Sequence, residues 1–152
     1  RGRRAGTENV PGIAGFGAAA RAAADQIDQL EDQAAWRYQA EAELAAAGAV
    51  VFGADAERLP NTLCFATPGF GSEMQVMALD LAGVMVSAGA ACSSGKVRPS
   101  HVLTAMGAGD LAGCAIRVSG GWATTAEDWK HMVEAWKRAY DRHAARRRAP
   151  AA

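Results

Sequence analysis

Apolar residues first recur at helical spacing near the start of the chain. Ile13, Phe16, Gly17, Ala20 and Ala24 share one stripe, behind an Asn9-Val-Pro-Gly segment that offers an asparagine cap and a proline near the first turn. The small residues let such a helix approach another backbone closely. A second helical run over 26–47 sets Ile27, Leu30, Ala34, Tyr38, Ala42 and Ala45 on one face. Asp28, Glu31, Asp32, Arg37 and Glu41 fall on the other, and Gly48 closes the run. Periodicity allows either one long helix or two broken near Asp25.

The period then shortens. Residues 49–52 and 63–67 are short apolar runs separated by a polar turn at 53–60, and they read as two strands. Ser72-Glu73, with Met74, Val76, Met77, Leu79 and Leu81 behind, predicts a capped helix ending before Gly83; residues 84–86 predict a third strand. Residues 87–95 are all small, and no packed element is expected there. Residues 100–106 predict a short helix stopped by Gly107, and 115–119 a fourth strand before Gly120-Gly121. Thr125-Ala-Glu-Asp opens a last helix whose stripe is Trp129, Met132, Val133, Trp136 and Tyr140. The sum is an α+β unit, a few short strands covered by helices.

Composition adds bounds. At 152 residues, half of them hydrophobic and 21% charged, the chain suits one globular domain or a little more. Sixteen basic and sixteen acidic residues cancel, so no overall field argues for nucleic acid, and the aromatic stripe of the last helix reads as core. No run of about 18 apolar residues and no leader pattern is present, so no membrane association is expected. Cys64, Cys92 and Cys114 are widely spaced without a C-x-x-C pair, which argues against a disulfide framework or a zinc site and for a reducing, cytoplasmic setting. His101, His131 and His143 share no ligand spacing, so no metal is expected. The chain opens at Arg1 without a Met, and the expectation is a piece of something larger.

Three residues are candidates for chemistry. Cys92 sits among Gly, Ala and Ser, where a thiol has few bulky neighbours; it is either a carrier of sulfur between partners or one more small residue in a small-residue loop. Lys96 and Arg98 follow it and can lower a thiol pKa if they face it. Arg117 lies mid-strand between Ile116 and Val118, so alternation turns it to the opposite face, either as an exposed strand arginine or as a bidentate partner for a carboxylate. Thr7 places a hydroxyl beside a glycine and can bind a phosphate. Cys64 and Cys114, inside apolar runs, read as core cysteines.

Arg4-Ala-Gly-Thr-Glu-Asn-Val-Pro-Gly, Ser87-Ala-Gly-Ala-Ala-Cys-Ser-Ser-Gly with Pro99-Ser-His-Val-Leu behind it, and Ile116-Arg-Val-Ser-Gly occur in that order, with Leu59-Pro-Asn-Thr-Leu between the first two. Together they resemble the C-terminal part of the cysteine desulfurases, in the class V aminotransferase family. The resemblance implies a fold-type I enzyme dependent on pyridoxal 5'-phosphate, with 1–24 the end of the large domain and a linker helix. It makes 25–146 the small C-terminal domain carrying a cysteine loop at 87–98, and 147–152 a frayed basic tail.

By the same resemblance Cys92 takes sulfur from L-cysteine, leaving L-alanine and an enzyme persulfide, and Arg117 holds the substrate carboxylate. Thr7 reaches the cofactor phosphate across a homodimer interface. The Schiff-base lysine falls outside this chain, since Lys96, Lys130 and Lys137 match none of the family's lysines, and the N-terminal half of the same enzyme is the expected partner. An iron–sulfur scaffold or another sulfur acceptor protein would receive the sulfur. Gly121-Trp122 departs from the family's Gly-Arg. A selenocysteine lyase or related class V enzyme, and a sulfur-carrier or binding module without cofactor chemistry, are the alternative readings.

Overall fold

The structure, a computed structural model, describes residues 6–27, 30–89 and 99–148. Strand β2 (Thr62–Ala66) and strand β4 (Ala115–Ser119) form an antiparallel ladder along their whole length, from Thr62 opposite Ser119 to Ala66 opposite Ala115. Strand β1 (Val50–Val51) extends the β2 edge and strand β3 (Ser87–Ala88) the β4 edge, giving the order β1-β2-β4-β3, antiparallel throughout.

Strand alternation sorts the two faces. Leu63, Phe65, Ile116 and Val118 point to one side and enter the main core. Helices α2 (Leu30–Ala46), α3 (Ser72–Asp80) and α5 (Ala126–Arg148) cover that side. The core centres on Trp136, which meets Phe65 edge-on at 5.6 Å and stacks on Tyr140 at 5.2 Å. A smaller cluster of Ala66, Leu103, Ala112 and Ala115 lies where α4 (His101–Ala105) and the 3-10 turn Gly109–Gly113 meet the sheet. The α+β architecture expected from the period changes is the one observed.

The stripe of α5 is as expected: Trp129, Met132, Val133 and Trp136 are buried and Tyr140 packs beside them. Thr125 and Asp128 exchange hydrogen bonds ahead of the helix, Thr125 N–H to Asp128 Oδ2 at 2.8 Å and Asp128 N–H to Thr125 Oγ1 at 3.3 Å. Asn9 caps helix α1 (Val10–Asp25), accepting from Gly12 N–H. The break near Asp25 is real, since α1 ends there.

Five expectations are corrected. The inward stripe of α2 is Gln33, Arg37, Ala40 and Leu44, whereas Tyr38 is 59% exposed and Ala42 and Ala45 face outward. Polarity misled here because Gln33 and Arg37 find internal partners, Arg37 donating to the Pro60 carbonyl and pairing with Glu41 at 3.0 Å. The strand expected at 84–86 forms instead at Ser87–Ala88. Val84 is used to close α3, its N–H bonding the Leu79 carbonyl behind Gly83 at φ +79°.

Ser72 is the first helical residue of α3 and not its cap, which is Gly71. The small-residue stretch starting at Ser87 contributes β3 to the sheet through its first two residues. Of the basic tail expected to fray over 147–152, Arg147 and Arg148 continue α5 and 149–152 lie outside the described residues; the Arg147 guanidinium lies against Gly69, where a Cβ would collide with it.

Among the described residues the apolar stripe of α1 is not covered: none of its residues is buried, and Phe16 is 78% exposed. Among the described residues no helix is long and apolar enough to cross a membrane.

Candidate functional site

Arg117 occupies the middle of β4 on the face turned away from the main core, and it is exposed, while Ile116 and Val118 on either side are buried. Its register neighbours are Cys64 on β2 and Ser87 on β3. No carboxylate among the described residues pairs with its guanidinium; the ion pairs present join Arg37 and Arg58 to Glu41, Lys137 to Glu43 and Arg138 to Glu134. A planar fork of donors in the centre of a sheet face, without an internal anion, is suited to bidentate capture of a carboxylate from outside.

Cys64 and Cys114 are half-buried and pack against the smaller cluster, so the expectation of core cysteines holds in part. Burial pushes the Cys64 thiol above its ordinary value, and the positive charge of Arg117 pulls the other way. Cys64 is thus kept as a protonated thiol beside the arginine.

Cys92, Lys96 and Arg98 lie outside the described residues. Strand β3 precedes them in sequence and is bonded directly to the strand bearing Arg117. Thr7 is exposed ahead of α1, behind Gly6 at φ +88°, a conformation that needs glycine. The Arg117 face is built from β2, β3 and β4.

His131 and His143 play a tethering part on α5, their Nε2 atoms bonding the Ala82 and Gly69 carbonyls on either side of α3. Among the described residues no group of His, Cys, Asp and Glu can hold a metal ion. Lys130 and Lys137 both belong to α5, across the sheet from Arg117, and Lys137 is paired with Glu43 at 2.6 Å.

Three polar side chains fasten the ends of β4, and of these only Asn61 falls within a motif segment. Asn61 accepts the Gly120 N–H on its own carbonyl and donates its side-chain amide to the Gly120 carbonyl, fastening the end of β4. Gln33 and Gln75 hydrogen-bond the segments flanking that strand. The available signal was the pair of stripe tryptophans, because a buried indole N–H requires an acceptor.

An antiparallel sheet covered on one face by α2, α3 and α5 and partly on the other by α4 and the 3-10 turn, with Arg117 exposed on that second face and in no ion pair among the described residues, defines an α+β domain. The chain belongs to the aminotransferase class-V family, which it matches over residues 1–132. It is 44% identical over 139 residues to a protein named cysteine desulfurase from Cereibacter sphaeroides, covering 88% of this chain and 35% of that one. It is 38% identical over 140 residues to the cysteine desulfurase IscS of Dictyoglomus turgidum, covering 90% and 36%. The solved structure of a NifS-like protein from Rickettsia africae superposes with a TM-score of 0.79 at 32% identity, over 91% of this chain and 36% of that one. The chain thus spans little more than a third of the length of these three relatives.

Proposed function

We propose that this chain forms the small-domain part of a cysteine desulfurase, with 25–146 the small domain and 1–24 the end of a large domain. The observation that carries the reading is the exposed Arg117, in no ion pair among the described residues and on a strand bonded to β3, which precedes Cys92 in sequence. The named relatives and the family match support the same activity.

Pyridoxal phosphate, bound through a lysine outside this chain, would supply the electron sink that weakens bonds near the substrate α-carbon. Arg117 grips the substrate carboxylate with two parallel N–H donors, which fixes the orientation of the sulfur-bearing arm. The Cys92 thiolate attacks the substrate sulfur. A sulfur–sulfur bond forms as the carbon–sulfur bond breaks, and the electron pair of the broken bond stays on the substrate carbon. That carbon takes up a proton and leaves as L-alanine, while Cys92 retains the sulfur as a persulfide. Thr7 donates its hydroxyl to the cofactor phosphate of the neighbouring subunit in a homodimer. The persulfide sulfur passes to an iron–sulfur scaffold or another acceptor protein in the cytoplasm.

The test is made in the full-length enzyme that carries this segment. Cys92→Ala should abolish alanine formation from L-cysteine, and Arg117→Ala should raise KM about 10²-fold, the scale of losing two charge-assisted hydrogen bonds. Undiminished alanine formation by Cys92→Ala would exclude the role given to that thiol.

A further inference from the structure

Two glutamines from different helices hold the two ends of β4 by the same device. Gln75 of α3 is fully buried; its Nε2 donates to the carbonyls of Phe70 and Cys114, each at 2.7 Å, and its Oε1 accepts the Trp136 indole N–H at 2.9 Å. Gln33 of α2 is also buried; its Nε2 donates to the carbonyls of Gly121 at 3.2 Å and Thr124 at 3.1 Å, and its Oε1 accepts the Trp129 indole N–H at 3.1 Å. Cys114 immediately precedes β4, and Gly121 lies just beyond its end.

The orientation of each amide is forced. An indole N–H only donates, so each tryptophan requires the amide oxygen, and the amide nitrogen is thereby turned onto the carbonyls. A reversed amide would set donor against donor and acceptor against acceptor. Trp129 and Trp136 are two turns apart on one face of α5, about 10.5 Å along the axis, and the five residues of β4 span about 14 Å. One helix face therefore registers both ends of one strand, and the glutamines, drawn from the helices on either side of α5, are the couplings. A satisfied buried amide adds little net stability over an apolar side chain of the same size, but it tolerates only one geometry.

Arg117 sits midway between the two couplings. Among the described residues no carboxylate pairs with it, and its guanidinium is carried by the backbone of β4. On the β3 side the ladder spans only two residues. We infer that Gln33 and Gln75 are positioning residues for Arg117, the paired Gln–Trp clamps fixing the axial setting and tilt of β4 and so the point at which its guanidinium meets a substrate carboxylate. This rests on the carboxylate-binding role proposed for Arg117.

The experiment uses the full-length enzyme carrying this segment and calorimetric binding of two probes, L-alanine and the carboxylate-free cysteamine. Gln33→Met and Gln75→Met, which keep side-chain volume and remove the hydrogen bonds, should each weaken L-alanine about tenfold, below the ~10²-fold that a 1 Å misplacement can cost. Cysteamine binding should be unchanged, and neither substitution should weaken L-alanine further in an Arg117→Ala background. If Gln75→Met does not fold, Trp136→Phe keeps the glutamine, removes the N–H that orients it, and carries the same expectation. Equal losses for both probes, or losses that add to that of Arg117→Ala, would overturn the inference while leaving the arginine's role intact. An Arg117→Ala enzyme that binds L-alanine like the parent would remove that role itself, and the inference with it.

Discussion

Cys64 stands directly opposite Arg117 in the β2–β4 ladder. Burial raises the pKa of the thiol and the guanidinium opposes the rise, so the cysteine reports on the arginine's charge. Arg117→Ala removes the lowering influence and should push the Cys64 pKa up further. The pH dependence of alkylation at Cys64, followed by peptide mass, should move to higher pH in that variant; an unchanged or downward shift would contradict the placement of the two groups.

The arginine's fork should matter as much as its charge. Arg117→Lys retains one positive charge but offers no pair of parallel donors, so KM for L-cysteine should rise about tenfold, roughly the loss of one of two charge-assisted bonds. A lysine variant kinetically equal to the parent would show that only charge is required.

Gly120 is needed for close approach and not for its backbone conformation. A Cβ there would lie 2.6 Å from Gln33 Oε1, and that atom cannot retreat without leaving the Trp129 N–H. Gly120→Ala should destabilise by about 1–3 kcal/mol, as overpacking does. Urea unfolding would measure it, and Gln33→Met should relieve part of the cost.

Acid stability has one identified contributor at the start of α5. The Thr125 backbone N–H, and then its hydroxyl, hold the Asp128 carboxyl below its usual pKa. A depressed folded-state pKa contributes stability that is complete above the unfolded carboxylate value and is lost as pH falls through the folded one. Asp128→Asn should therefore flatten the acid limb of stability against pH, whereas Thr125→Ala should cost about 1 kcal/mol at neutral pH through loss of the cap. Unfolding midpoints between mildly acidic and neutral pH would separate the two.

Strand β4 was legible almost residue for residue, because buried and exposed positions alternate from Ile116 to Ser119 and glycines follow. The same alternation put Arg117 on the outer face. The face of α2 was not legible, since Gln33 and Arg37 look like surface residues until their partners, up to 96 positions away in sequence, are known. Strand β3 was misplaced because an apolar run at 84–86 scores as strand, while Val84 is taken by the closing turn of α3. Thr7 and Cys92 were singled out by motif alone, which supplies a residue type and no geometry.

The measurement that bears most directly on the account is peptide-resolved mass of the full-length enzyme after brief exposure to L-cysteine and trapping with an alkylating reagent. The account predicts one added sulfur on the peptide containing Cys92, in step with alanine release, and none on those containing Cys64 or Cys114. Alanine released with no sulfur added at Cys92, or with the sulfur on Cys64 instead, would contradict it.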